Sequence, residues 1–191
     1  VMVNVNRALG APWNTSPDQC DSLAQRDTGW IQFYCEDGQE ILDIIIQAYR
    51  LAESVSLPVM VNFEGFILSH AASAVDIPEQ EKIDGFLPAY NPAWKLDLEK
   101  PSAFGAHSYP DDYAILKMDT QAAMDSVEDI YGEVSSEFSG IFNRRYQAVE
   151  YHGPKDPELL IITSGTISGT TKAVIAERCD KENIGLMKIR M

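Results

Sequence analysis

The sequence predicts an α/β fold with open, mostly parallel sheets and flanking helices, and three observations carry that prediction. Runs rich in apolar, β-branched or aromatic residues at 2–5, 30–35 and 57–61 alternate with segments whose apolar residues recur at helical spacing. The run at 57–61 is continuously apolar, as a strand covered on both faces is. Near the end, "ELLIITSGT", "ISGTTKAVIAERCDKEN" and "IGLMKIRM" repeat strand, helix and strand, with a crossover of about twenty residues that suits a right-handed βαβ unit.

Each element has its own local reason. The strand at 2–5 delivers Arg7 into a loop holding Gly10, Pro12 and Asn14. In "SPDQCDSLAQRD", Ser16 as N-cap, Pro17 at the first helical position and Gln19 three after the cap predict a helix over 17–26, stopped by Gly29. The aromatic and β-branched content of 30–35 predicts a strand. Asp37, with Glu40 three residues later, caps "GQEILDIIIQAYRLAESV", where Ile41, Ile44, Ile45, Ala48 and Leu51 recur at helical spacing. Leu42 and Ile46 add a second apolar face, so this helix is expected to be buried on more than one side.

From 86 to 110 the pattern breaks. Pro88, Pro92, Pro101 and Pro110 punctuate a stretch with no sustained period, which predicts a linker or surface arm, and Tyr90, Trp94 and Phe104 predict that it is packed down. Residues 111–139 predict one long amphipathic helix of ~40 Å, with Gly132 a weak point and the acids between its apolar positions facing solvent. The chain therefore divides into an α/β unit at 1–87, a Pro-rich arm at 88–110, and a long helix plus the start of a second α/β unit at 111–191. Both ends lie inside apolar runs, so a piece of a longer polypeptide is expected, with both units incomplete.

Composition narrows the function classes. With 45% hydrophobic and 23% charged residues the 191-residue chain is of ordinary globular type, and 29 acids against 15 bases give a formal charge of -14. That charge repels phosphate backbones and anionic lipids, so no nucleic acid and no membrane is expected as a partner. The apolar stretches at 41–46 and 57–61 fall far short of the ~20 residues needed to span a bilayer, and the expected location is cytoplasmic. Cys20, Cys35 and Cys179 form no C-x-x-C pair, which argues against a disulfide framework, a zinc site or an iron-sulfur cluster held by this chain.

Few residues point to chemistry. "SGTISGTT" at 164–171 is a strand-to-helix turn that could place N–H groups on a phosphate, yet it lacks both G-x-G-x-x-G spacing and a P-loop lysine. A tight structural turn is the favoured reading. His70, His107 and His152 have no metal-ligand spacing, although His70 in "FEGFILSH" follows the end of a buried strand, where open α/β sheets build their sites. The same rule applies to Arg7. It could orient an anionic substrate or pair with an acid such as Asp18 or Asp21, and the residues alone leave both readings open. No nucleophile and base pair is visible.

The segments "NRALGAPWN", "RDTGWIQFYCEDGQEILDIIIQAYRLAE", "LPVMVNFEGFILSH", "VDIPEQEKIDGFLP" and "ITSGTISGTTKAVIAE" together resemble the alpha subunits of the pyruvate:ferredoxin oxidoreductase (pyruvate synthase) family of 2-oxoacid:ferredoxin oxidoreductases. The resemblance spans nearly the whole chain and is weakest over 103–124. It implies a pyrimidine-type domain of a thiamine diphosphate enzyme followed by a domain like the transketolase C-terminal one. It implies oxidative decarboxylation of pyruvate or a related 2-oxoacid to an acyl-CoA and CO2, with electrons passing to ferredoxin. Thiamine diphosphate with Mg2+ would sit at the interface with a partner domain or chain, and [4Fe-4S] clusters on other domains or subunits.

Carried over residue by residue, the resemblance implies that Arg7 binds the substrate carboxylate and that Asn14, Asp18 and Asp21 belong to an active-site loop, with no catalytic group on these residues. The glutamate that activates the aminopyrimidine in that family would lie before residue 1, and Glu64 is a different residue. Gln19 stands where histidine is common, a departure that bears on which 2-oxoacid is used. Two other classes compete: a non-catalytic assembly or interaction subunit of the same fold, suggested by the acid-rich helix and the aromatic arm, and a nucleotide-binding oxidoreductase using 164–171.

Overall fold

The computed structural model describes residues 1–12, 14–92, 94–105, 107–178 and 183–191. Cys179 lies outside the described residues. The first sheet holds β1 (Met2–Asn6), β2 (Ile31–Tyr34) and β3 (Val59–Glu64) in the order β1-β3-β2, all parallel, with Asn6 opposite Glu64 and Tyr34 opposite Asn62. Val59, Met60 and Val61 in the central strand are buried on both faces, as their apolar run requires. Among them Asn62 is also buried, and it is satisfied: its Oδ1 accepts from Asn4 Nδ2 at 2.9 Å and its Nδ2 donates to Phe33 O at 3.0 Å.

Between the strands, α1 (Cys20–Leu23) is a single turn and α2 (Gly38–Val55) the main covering helix. The Asp37 side chain caps α2 by accepting Glu40 N–H at 2.8 Å, and Ser56 ends it in the left-handed region at φ 56°. Its periodic residues Ile44, Ala48 and Leu51 pack with Ile31, Phe33, Val59 and Val61 in one core cluster. After β3 comes α3 (Gln80–Phe86), which the sequence pattern did not signal and which inserts the buried Phe86 into a second cluster with Ile46, Val134, Phe138 and Phe142.

In place of one helix over 111–139 there are two, α4 (Pro110–Asp125) and α5 (Val127–Phe142), and the break falls at Ser126 rather than at Gly132. The reason is packing. α4 buries no residue, whereas α5 buries Val127, Tyr131, Val134, Ser135, Phe138 and Phe142 against α2 and the first sheet. The arm differs from expectation as well: Tyr90, Trp94 and Phe104 are 64%, 84% and 51% exposed, the core clusters being filled instead from α2, α3, α5 and the first sheet.

The second sheet holds β4 (Val149–His152), β5 (Leu159–Thr163) and β6 (Ile184–Ile189) in the order β4-β6-β5. β5 pairs parallel with β6 through the crossover helix α6 (Thr166–Arg178), and β4, a short strand hidden in the sequence, adds antiparallel at the other side. The fold is thus the open, mostly parallel α/β class anticipated. The two sheets meet where Tyr34 N–H, on the free edge of β2, donates to Arg190 O just after β6 at 2.8 Å.

What joins them there is ionic. Lys188 and Arg190 leave β6 fully buried, and Lys188 Nζ meets both oxygens of Glu40 on α2, at 2.8 and 2.7 Å, and Glu36 at 3.3 Å. Arg190 also donates to Glu40 and reaches Glu150 on β4 at 2.6 Å, while Lys172 on α6 pairs with Glu36. Three acids thus meet three bases, with Glu40, Lys188 and Arg190 out of water and Lys172 partly exposed. Burial would lower the Arg190 pKa, but Glu40 and Glu150 outweigh it and raise the pKa, so this guanidinium stays charged. A second buried acid, Asp43 on α2, takes Arg144 at 2.6 and 3.0 Å and the Tyr146 hydroxyl at 2.7 Å, which ties the end of α5 to α2.

Candidate functional site

The parallel sheet ends its strands β1 and β3 side by side, at Asn6–Arg7 and Glu64–Gly65, with Gly65 N–H donating to Asn6 O at 3.2 Å. Arg7 is half-buried at this carboxyl edge. Its Nη1 donates to Asn6 O at 3.3 Å, and among the described residues no acid forms an ion pair with it. The guanidinium passes directly over Gly65: a Cβ on that glycine would stand 0.9 Å from Arg7 Nη1 and 2.2 Å from Cζ. Pairing of the Arg7 side chain with Asp18 or Asp21, one of the two readings left open by the residues, does not occur.

Asp21 instead organises the backbone. One oxygen accepts Asn6 Nδ2 at 2.7 Å and its own Ser22 N–H at 2.7 Å, and the other accepts Arg7 N–H at 3.0 Å and Asn4 Nδ2 at 3.3 Å. Burial acts to raise the Asp21 pKa, yet the donors from Asn6, Arg7, Ser22 and Asn4 together bring it below the usual carboxylate value. Ser22, buried one residue on, bonds Asn6 Nδ2 at 3.0 Å and the Tyr34 hydroxyl at 2.9 Å, so the 18–22 segment is stitched to both β1 and β2.

The predicted helix over 17–26 contracts to the single turn of α1. Ser16 is not its cap, since the helix begins at Cys20 with Gln19 at the cap position; Ser16 N–H donates to Asn14 Oδ1 at 3.0 Å, and Asp18 accepts Cys20 N–H at 2.9 Å. Short polar side chains bonding their neighbours' backbone offer an alternative to helix, and here they start it late. Asn14 is thereby an exposed turn residue, whereas Asp18 and Gln19 face a cleft of about 480 Å³ with Pro17, Glu64, Ser164 and Thr166.

Across that cleft lies the turn at 164–171. Thr166 N–H, at the start of α6, donates to both oxygens of Glu64, at 3.2 and 3.0 Å. Gly165, at φ 71°, brings the backbone so close that a Cβ there would meet Glu64 Oε1 at 2.3 Å. The anion at this helix start is the protein's own carboxylate, which makes the turn a clip between the sheets. His70 stays outside the cleft lining, exposed, its ring tilted against Phe66 at 5.0 Å and bonded through Nδ1 to the Ser69 hydroxyl at 3.1 Å.

Of the residues named from the sequence, Arg7 and Asp21 lie at the carboxyl edge and Asp18 lines the cleft beside it, together with Asn6, Glu64 and Gly65, which the sequence did not single out as site residues. The available signal was position, because Glu64 and Gly65 occupy the same strand-end level as Asn6 and Arg7. Among the described residues no group of three His, Cys, Asp or Glu side chains could hold a metal ion, and no helix is long and apolar enough to cross a membrane.

Acid should loosen this arrangement. Glu150 behaves as Asp21 does: burial raises its pKa, and Arg190 and Lys188 more than reverse that. A carboxyl with a depressed folded-state pKa binds fewer protons than in the unfolded chain, so its stabilisation is present above the unfolded value and fades as pH falls through the folded one. Thermal stability is expected to hold above about pH 5 and to fall below about pH 4. Asp21→Asn should flatten part of that fall, and pH-dependent melting curves check it. An unchanged acid limb in the variant would exclude Asp21 as a contributor.

An open parallel α/β domain with an arginine over a glycine at its carboxyl edge defines a binding domain of the type that meets ligands at strand ends. Residues 1–136 match the family described as pyruvate flavodoxin/ferredoxin oxidoreductase, thiamine diphosphate-binding, and the chain belongs to that family. It is 42% identical over its full length to pyruvate synthase subunit PorA of Methanothermobacter thermautotrophicus, and 40% identical to ketoisovalerate oxidoreductase subunit VorA of Pyrococcus horikoshii. The chain spans about half the length of these curated relatives, 51% and 49%. In fold it is similar to a 2-oxoglutarate:ferredoxin oxidoreductase from Magnetococcus marinus, solved with 2-oxoglutarate, coenzyme A and succinyl-CoA bound. The TM-score is 0.63 at 16% identity, covering 99% of this chain and 36% of that one.

Proposed function

We propose that this chain forms the substrate-carboxylate side of a thiamine diphosphate-dependent 2-oxoacid:ferredoxin oxidoreductase, which converts pyruvate or a related 2-oxoacid to its acyl-CoA and CO2 and passes electrons to ferredoxin. The observation that carries this reading is the Arg7 guanidinium, half-buried at the carboxyl edge of the parallel sheet and without an acid partner among the described residues. A guanidinium so placed offers two parallel N–H donors to a carboxylate, which a 2-oxoacid brings and a neutral aldehyde does not.

In this reading Arg7 binds and orients the 2-oxoacid, the Asp21 network fixes the backbone from which Arg7 projects, and Asp18 and Gln19 line the approach. Asn14, in its own turn, supports the loop that leads there. Thiamine diphosphate, when bound, supplies the stabilised carbanion that decarboxylation requires. The residues present fit the carboxylate side of such a site. Among the described residues no three His, Cys, Asp or Glu side chains are grouped to hold a metal, and in this reading magnesium and the diphosphate are held by a partner domain or chain and [4Fe-4S] clusters by other domains or subunits. The working assembly is a cytoplasmic hetero-oligomer that meets ferredoxin and coenzyme A elsewhere on its surface.

Relatives of nearly equal identity are named for pyruvate and for ketoisovalerate, so overall similarity does not select the 2-oxoacid. Pyruvate is taken as the proposed substrate, and the relatives named for ketoisovalerate make 2-ketoisovalerate the competing one that the assay must include. The test is to purify the complete enzyme with its co-purifying chains and follow ferredoxin reduction with pyruvate, 2-ketoisovalerate and 2-oxoglutarate, each with and without coenzyme A. Reduction that needs both a 2-oxoacid and coenzyme A is expected, with pyruvate preferred. An assembly that contains this chain and reduces ferredoxin with none of the three would make it an assembly subunit.

A further inference from the structure

We infer that Gly65 is the positioning residue for the Arg7 guanidinium, an inference that rests on the carboxylate-binding role proposed for Arg7. The side chain of Arg7 occupies the volume that any Cβ at position 65 would need, with Nη1 0.9 Å and Cζ 2.2 Å from it. The φ of Gly65 does not by itself call for glycine. Gly65 is absent from the glycines of positive φ, unlike Gly10, Gly29 and Gly165, so an L residue could adopt its conformation. Two features hold the glycine in register under the arginine. Its N–H is bonded to Asn6 O at 3.2 Å, the same carbonyl that accepts Arg7 Nη1 at 3.3 Å, and the preceding Glu64 carboxylate is anchored on Thr166 N–H.

The consequence is a preformed arginine. Neighbouring carboxylates usually fix a guanidinium, but they would compete with an incoming anion. Here the groove over Gly65 and one carbonyl do the holding instead, and they leave the remaining donors for a ligand. A methyl group at 65 would evict the guanidinium. It would also come within 2.7 Å of Asn6 O, so some loss of stability would accompany it.

A double-mutant cycle in the complete enzyme separates the two effects. Gly65→Ala is expected to raise KM for the 2-oxoacid by on the order of tenfold or more, with a smaller change in kcat and an unchanged KM for coenzyme A. Gly65→Ala added to Arg7→Ala should cost no further 2-oxoacid affinity. The Arg7→Ala enzyme should recover part of its activity with added guanidinium ion, and the double variant should not, because its methyl group fills the vacated place. The double variant lacks the clash with Arg7 and so covers the case in which Gly65→Ala alone fails to fold. Additive losses, or guanidinium rescue as good in the double variant as in Arg7→Ala, would overturn the positioning role. Arg7→Ala kinetics equal to wild type would instead remove the reading of Arg7 itself.

Discussion

Replacing Glu40 by alanine is expected to destabilise the protein by about 3–5 kcal/mol, since it leaves two buried cations facing a lost partner. Lys188 and Arg190 are 0% and 1% exposed, and both converge on this one carboxylate from β6. At roughly 2–4 °C per kcal/mol for a chain of this size, the melting temperature should fall by about 10 °C. Glu137→Ala supplies the comparison. That acid also pairs with an arginine on α2, Arg50, but at 3.6 Å and with the Glu137 side chain 45% exposed, so its loss should cost less than about 1 kcal/mol. Equal shifts in the two variants would show that the contact between the sheets does not depend on the buried network. Because Glu40 also accepts Glu36 N–H at 2.9 Å, its removal should further loosen the chain where β2 leads into α2.

That network explains what could be read from the sequence and what could not. α2 was legible to the residue, because its cap, its periodicity and its length are local properties that Asp37, Ile44 and Ala48 declare within one window. β3, β5, α6 and β6 were legible for the same reason. Ionic partners were not: Glu40 and Lys188 stand 148 positions apart, and in sequence one reads as a helix-capping acid and the other as an ordinary surface lysine. The split between α4 and α5 was hidden likewise, since the apolar positions of both look alike until α2 and Phe86 select the ones to bury. β4 escaped because "VEYH" is too short a window for its alternation to declare a strand, and pairing with β6 is what makes it one.

At the site, Arg7 could be found from its place after a strand, whereas its hold on Gly65 depends on β1 and β3 being neighbours. Asp21 illustrates the converse. Its acid character suggested a partner for the Arg7 side chain, yet once α1 shortens, the carboxylate lies behind β1 and takes the Arg7 backbone. Spacing gave the right residue there and the wrong atom.

Arg7→Ala in the complete enzyme should lower kcat/KM for the 2-oxoacid by roughly two orders of magnitude, since a carboxylate left without its charged donors in a closed site loses about 3 kcal/mol. The loss should appear chiefly in KM for the 2-oxoacid and leave KM for coenzyme A unchanged, because a clamp on one substrate's carboxylate does not touch the other. Arg7→Lys should recover only part of the loss: the charge returns, but not the fixed fork that gives two parallel hydrogen bonds. Stability provides the contrast that a structural role would fail. Among the described residues the one hydrogen bond of that guanidinium is the 3.3 Å contact with Asn6 O, and the residue's firm tie to Asp21 runs through its backbone N–H, which alanine retains. The melting temperature of Arg7→Ala should therefore stay within about 3 °C of wild type, the shift expected of about 1 kcal/mol or less. A variant that melts far lower while keeping its KM for the 2-oxoacid would turn Arg7 from a substrate clamp into a strut of the sheet edge.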